Sequence, residues 1–216
     1  MNEFDLSELG IKSKTKLHGK LTIINKNGNG PVVFLFDEHH GNLNDCITRN
    51  IENARTLISN CNIELIGVES LAGGIEWDKE TEDYVEDDSN ERVYKEFTIK
   101  GWKNGCTTFS DSLYQDNSGL IIGVESVGMM DKTELDIINS NPEDQNEAIK
   151  NHPLTKLRSK HFIQTLLNHY ISNNLKGNII LNCGKNHNSH IQEWIETGEI
   201  NQIVGINAIY VRLNTF

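Results

Sequence analysis

The sequence predicts an α/β protein with a mostly parallel central sheet flanked by helices. It adds an antiparallel N-terminal hairpin and an acidic insertion after the second core strand. Three observations predict this. Short apolar runs alternate with longer segments of helical periodicity, the pattern of a layered α/β domain. The phrase Ile-Gly-Val-Glu-Ser occurs twice, at residues 66–70 and 122–126. Four strand-like runs end in a carboxylate or an imidazole, and ligands of open α/β sheets bind outside the carboxyl ends of the strands.

The elements follow in order. Residues 17–24 and 32–36 are β-like, and Asn27-Gly28-Asn29-Gly30 between them supplies the positive-φ positions of a tight turn. The first strand is therefore expected to pair antiparallel with the second. From 43 to 59, Leu43, Ile47, Ile51, Ala54, Leu57 and Ile58 recur at helical spacing. A strand at 64–68 completes a βαβ unit, hence parallel pairing.

Residues 76–96 carry ten acids against three bases. The 12-residue calcium loop with its central Gly is missing, so the stretch reads as a solvated insertion or lid extending to about 119. Its polar second half holds a helix near 110–115. Residues 120–124 form a strand ending in Glu125, and 133–150 are polar and helical. Pro153 suits the first turn of a long helix. Its apolar face is Leu154, Leu157, Phe162, Leu166, Leu167 and Ile171, and Gly177 is placed to cap its end. A strand at 179–182, a short helix at 190–197 and one or two strands within 203–213 finish a single domain, residues 1–216.

Composition narrows the function classes. At 37% hydrophobic and 24% charged the chain reads as an ordinary globular protein. No apolar stretch approaches a membrane span, and the acidic N-terminus lacks the apolar region of a signal peptide. Four cysteines without C-x-x-C spacing read as reduced thiols. A cytoplasmic protein without a membrane partner is expected. The net charge of −11 repels phosphate backbones, and no local basic patch argues for nucleic acid. The expected partner is a small molecule or a peptide; oligomeric state is not legible.

Asp37-Glu38-His39-His40-Gly41 is the strongest local signal. An apolar strand running into four ionisable residues is poor core design, because buried charge is costly unless paired. Glu38 would orient an imidazole or act as acid or base, and His40, followed by Gly41, is the preferred imidazole. Glu69 and Glu125 would flank a substrate or share a metal; alternatively each caps a helix or pairs with Arg158. Gly184-Lys185-Asn186-His187 again sets a histidine after a strand. His190 would share its helical face but suits a surface position. Arg158 would bind a substrate anion or serve as a structural partner of Glu69 or Glu125. Cys183 beside His187 suggests a nucleophile pair, against the simpler reading of a buried, inert thiol.

The order of these motifs resembles the superfamily of erythromycin esterases, ChaN haem-binding lipoproteins and TraB/Tiki proteins. Asp37-Glu38-His39-His40-Gly41 stands where that family has Gly-Glu-x-His-Gly. Glu38 and His40 match, while Asp37 replaces a glycine. Glu69 matches the glutamate after the second strand, Arg158 the helix arginine, and Gly184-x-x-His187 the last motif. The resemblance implies a hydrolase in which His40 activates water. Glu38, Glu69 and His187 would complete the catalytic groups. Asp37, His39, Glu125, Arg158, Lys185 and Asn186 would contact substrate. One branch implies a divalent metal held by His40, His187 and Glu69. Another implies a non-catalytic haem or small-ligand site. The cofactor expectation is therefore none, or a divalent metal ion.

Overall fold

The structure is a computed structural model of the 216-residue chain. It describes residues 1–11, 14–38, 43–72, 76–78, 83–85, 109, 112–113 and 120–215. The strands are β1 (Asn2–Asp5), β2 (Lys14–Leu17), β3 (Lys20–Asn25), β4 (Val32–Glu38), β5 (Ile63–Ala72), β6 (Glu76–Asp78), β7 (Asp83–Val85), β8 (Ile121–Glu125), β9 (Asn178–Gly184) and β10 (Ile209–Asn214). The helices are α1 (Leu43–Asn60), α2 (Val127–Ser140), α3 (Gln145–Asn151), α4 (Pro153–Ser172), α5 (Lys185–Thr197) and α6 (Ile200–Val204).

Among the described residues one sheet runs in the order β3-β10-β4-β9-β5-β8-β6-β7. Its five central strands, β10 to β8, are parallel to one another. β3 and β6 pair antiparallel at either side, and β7 pairs antiparallel with β6. The expected α/β class is the one observed, and β1 and β2 form a separate antiparallel pair at the N-terminus. Among the described residues no helix is long and apolar enough to cross a membrane.

Each central strand feeds two cores, because alternate side chains point to opposite faces. Phe34, Phe36, Ile66, Val68 and Ile180 meet Ile51, Ala54 and Leu57 of α1. Val33, Leu35, Leu65, Ile179 and Leu181 meet Phe162, Leu166, Ile191 and Trp194 of α4 and α5. Burial on both faces is why these strands read as unbroken apolar runs. β4 leads into α1 on one face, and its neighbour β9 leads into α5 on the other. Adjacent strands that part in this way open a crevice at their carboxyl ends.

Several local expectations are corrected. β3 does not pair with β4, because β10 lies between them. The Asn-Gly segment bridges that gap instead of turning tightly. Asn29 and Gly30 donate their N–H groups to the Asn207 carbonyl at 3.1 and 2.8 Å, and Ile209 donates to the Pro31 carbonyl. β4 and β5 are likewise parallel but separated by β9. The helix expected at 133–150 is two helices, α2 and α3, broken where Asn141 takes φ 42° just before Pro142. The terminal segment is α6 and one strand, β10.

In α4, Leu157 and Ile171 are half exposed. The buried stripe is Thr155, Arg158, Ser159, Phe162, Ile163, Leu166, Leu167 and Tyr170. Gly177 does not cap this helix, which ends at Ser172; Asn174 takes the positive φ there. Gly177 is needed for close approach, since a Cβ on it would lie 2.5 Å from the Asn62 carbonyl oxygen. The expected helix near 110–115 and most of the 76–119 insertion lie outside the described residues, apart from β6, β7 and isolated positions.

Gly177→Ala should destabilise the fold by about 1–3 kcal/mol, the usual range for a forced overpacking. Gly128→Ala, within α2 where nothing lies within 4 Å, should leave stability unchanged or raise it by up to about 1 kcal/mol. Denaturant titration of the two variants checks the contrast.

Candidate active site

The carboxyl ends of β5, β8 and β9 bring Glu69, Glu125 and the start of α5 above the N-terminal half of α4. Glu125 is 2% exposed. Arg158 grips it with one edge of its guanidinium: Nε donates to Oε1 at 3.0 Å and Nη2 to Oε2 at 2.5 Å. The Ser126 N–H also donates to Oε1 at 2.8 Å. Burial pushes the Glu125 carboxyl above its ordinary value, and Arg158 pulls against that rise.

Glu69 shares the same cation. Its Oε1 lies 3.6 Å from Arg158 Nη2 and 3.4 Å from His187 Nε2, and its Oε2 accepts from the Gly184 N–H at 2.5 Å. Close packing at Gly67, two residues earlier in β5, seats this strand on α4: a Cβ there would lie 2.7 Å from Leu166 Cδ1. Phe162 lies against the His187 ring, with centroids 4.6 Å apart.

The other nitrogen of His187 is also committed. Ser159 Oγ lies 2.8 Å from His187 Nδ1, 2.9 Å from His190 Nδ1 and 2.8 Å from the Thr155 carbonyl oxygen. A hydroxyl has one hydrogen to donate. Where it goes to Thr155, both imidazoles must donate through Nδ1. Where it goes to His187, that ring is the neutral Nε2–H form and His190 donates to Ser159. The His187 Nε2 hydrogen then faces Glu69 Oε1; where the hydroxyl hydrogen goes to Thr155 or His190, a neutral His187 ring presents a bare Nε2 to Glu69 instead. The cluster thus joins Ser159, His190, His187, Glu69 and Arg158 in one run of polar contacts.

The first motif divides between the two faces of the sheet. Asp37, with no exposure, accepts from Arg212 Nε at 2.9 and 3.0 Å through its two oxygens and from Asn188 Nδ2 at 3.0 Å. Burial raises its carboxyl, while Arg212 and Asn188 lower it. Asp37 thus anchors α5 and β10 to β4, and nothing of it faces a cleft. Glu38 lies on the α1 face. Asn182 Nδ2 donates to it, and Asn182 is held in turn by Asn50 at 3.3 Å. His39, His40 and Gly41 lie outside the described residues.

Lys185 and Asn186 are exposed on the first turn of α5. Cys183 does not pair with His187. It is fully buried, its Sγ donates to Asn188 Oδ1 at 3.2 Å, and burial pushes its thiol well up, opposite to what a nucleophile needs. Among the described residues no three His, Cys, Asp or Glu side chains form a group able to hold a metal ion. The proposed set of His40, His187 and Glu69 includes a residue outside them. No family model, curated protein or solved structure matches the chain.

Sequence reasoning missed Ser159, Asn182, Asn188 and Arg212, and placed His190 at the surface. Ser159 had a signal: the apolar stripe of α4, extended back from Phe162 by helical steps, passes through Ser159 and Thr155. Arg212 had a weaker one, standing two residues from buried Tyr210 on the same face of β10.

Two predictions follow from these contacts. Arg158→Met leaves Glu125 buried without its cation and should cost about 3–5 kcal/mol near neutral pH. Adding Glu125→Gln should recover much of that loss, as read by denaturant unfolding. His190 is held below the ordinary imidazole value of 6.5, first by burial and then by His187 and Lys156, and His161 is lowered by burial. Their unfolded forms bind protons first, so their contribution to stability is full above pH 6.5 and shrinks as pH falls below it. Melting temperatures at pH 7.5 and about 5.5 should differ less in a His161→Gln/His190→Gln variant than in the parent.

Proposed function

We propose that the chain is a hydrolase whose carboxylate–imidazole groups at the strand ends activate water. The observation that carries this reading is the sharing of Glu69 Oε1 by His187 Nε2 at 3.4 Å and Arg158 Nη2 at 3.6 Å. A carboxylate set between a guanidinium and an imidazole is the kind of pairing that acid–base catalysis uses. Glu69 has the larger side-chain exposure, 13% against 7% for His187 and 8% for Arg158. It is therefore the group placed to touch a reacting water. His187 and Arg158 act through it as positioning residues, and Ser159 sets the His187 tautomer. Glu125 fixes Arg158.

The resemblance in motif order adds His40, two residues beyond β4, as a general base, with Glu38 beside it in sequence. The substrate class is an ester or amide of a small molecule or peptide. The test is turnover across a panel of such substrates, with and without a chelator. His40→Ala and Glu69→Gln should each lower kcat/KM by about 10²- to 10⁴-fold, with melting temperatures close to the parent. Turnover that survives chelation fits this reading. Turnover lost on chelation and restored by divalent ions would replace it with metal-activated water. Variants that lose stability and leave turnover intact would make the cluster purely structural.

A further inference from the structure

His187 and His190 occupy the flank of α5 that faces α4. The flank facing β3 and β10 carries a second, chemically different feature. Lys20 and Thr22 of β3, Arg212 of β10, and Lys185, Ser189 and Gln192 of α5 line a concavity of about 270 Å³. Its construction follows from two periodicities. Positions 20 and 22 lie on one face of β3, and Thr22 stands opposite Arg212 in the antiparallel register. Positions 185, 189 and 192 form one stripe of α5. Every one of these positions is polar, where a sheet face under a helix is ordinarily apolar.

The charges do not cancel. Asp37 neutralises Arg212, whose remaining donors go to Gln192 Oε1 at 2.8 Å and to the Lys185 carbonyl and Ser189 Oγ at 3.2 Å. Neither the Lys20 nor the Lys185 ammonium has a hydrogen bond or ion pair among the described residues. Two positive charges from separate elements therefore converge on one concavity, in a chain whose net charge is −11. The amino end of α5, which begins at Lys185, adds its positive dipole.

We propose that this concavity binds a phosphate group as a dianion. A carboxylate is best held by an arginine fork, and the donors of Arg212 are already spent on Asp37, Gln192, Lys185 and Ser189. Two lysines act as point charges that match a doubly charged, many-oxygen anion, and the Thr22 hydroxyl can donate to its oxygens, while that of Ser189 is spent on the Lys185 carbonyl at 2.9 Å. Arg212 serves as the rigid floor.

The test is calorimetric titration of the intact chain with inorganic phosphate and, separately, with phenyl phosphate at low ionic strength. Saturable one-to-one binding of at least one of them is expected. Lys20→Gln and Lys185→Gln should each weaken it about tenfold and together abolish it, with the melting temperature unchanged. Tighter binding of phenyl phosphate would mark a site for a phosphate monoester, and preference for inorganic phosphate would mark a site for the free ion. No saturable binding of either, or binding unchanged in the double variant, overturns the proposal. Binding is read without turnover, so this result stands apart from the hydrolase reading.

Discussion

A carboxylate taken out of water must be met by a cation or by several hydrogen-bond donors, and this constraint organises the carboxyl edge of the sheet. Asp37, Glu69 and Glu125 stand at the ends of three strands, and two arginines from elsewhere in the chain meet them. Arg212 reaches Asp37 from the last strand and ties β10, β4 and α5 into one unit. Arg158 reaches Glu125 and Glu69 from α4 and ties β8 and β5 to that helix. Breaking either pair by removing one partner strands a buried charge, which costs more than the pair itself contributes. The sheet order and the charge pairing therefore specify one another.

The two arginine centres have different chemical prospects. Asp37 is wholly enclosed, and each of its oxygens is bonded to Arg212, so its role ends with architecture. Glu69 retains exposure, faces an imidazole nitrogen and takes only the margin of Arg158, whose main bonds go to Glu125. It is the carboxylate on which the proposed chemistry rests. Ser159 extends the network by joining two imidazoles through one hydroxyl, which makes the protonation of one ring depend on the other. A buried polar chain of this kind stands only where every member is satisfied, and Ser159 has the Thr155 carbonyl and both imidazoles as partners.

Much of this was legible in the chain. Apolar runs ending in Glu38, Glu69, Glu125 and His187 located the strands and the edge where they converge. Arg158 was legible as a structural partner of Glu125, one of the two roles open to it. Pairing order was not legible: β9 and β10 insert between earlier strands, and a local signal such as Asn27-Gly28 says nothing of a strand 180 residues downstream. Leu157 and Ile171 drew the apolar stripe of α4 off its buried face, which hid Ser159. Asn50, Asn182 and Asn188 read as ordinary polar residues, because their value lies in bridging elements that meet only in the fold.

The most direct test of the account is nitrogen-15 NMR of the histidine rings. The proposed chemistry needs a hydrogen on the line between His187 Nε2 and Glu69 Oε1, 3.4 Å apart. A slowly exchanging, downfield Nε2 proton on His187, moving upfield in a Glu69→Gln variant, is the expected result. An unprotonated His187 Nε2, or a ring proton indifferent to Glu69, would contradict the proton chain on which the proposed chemistry rests.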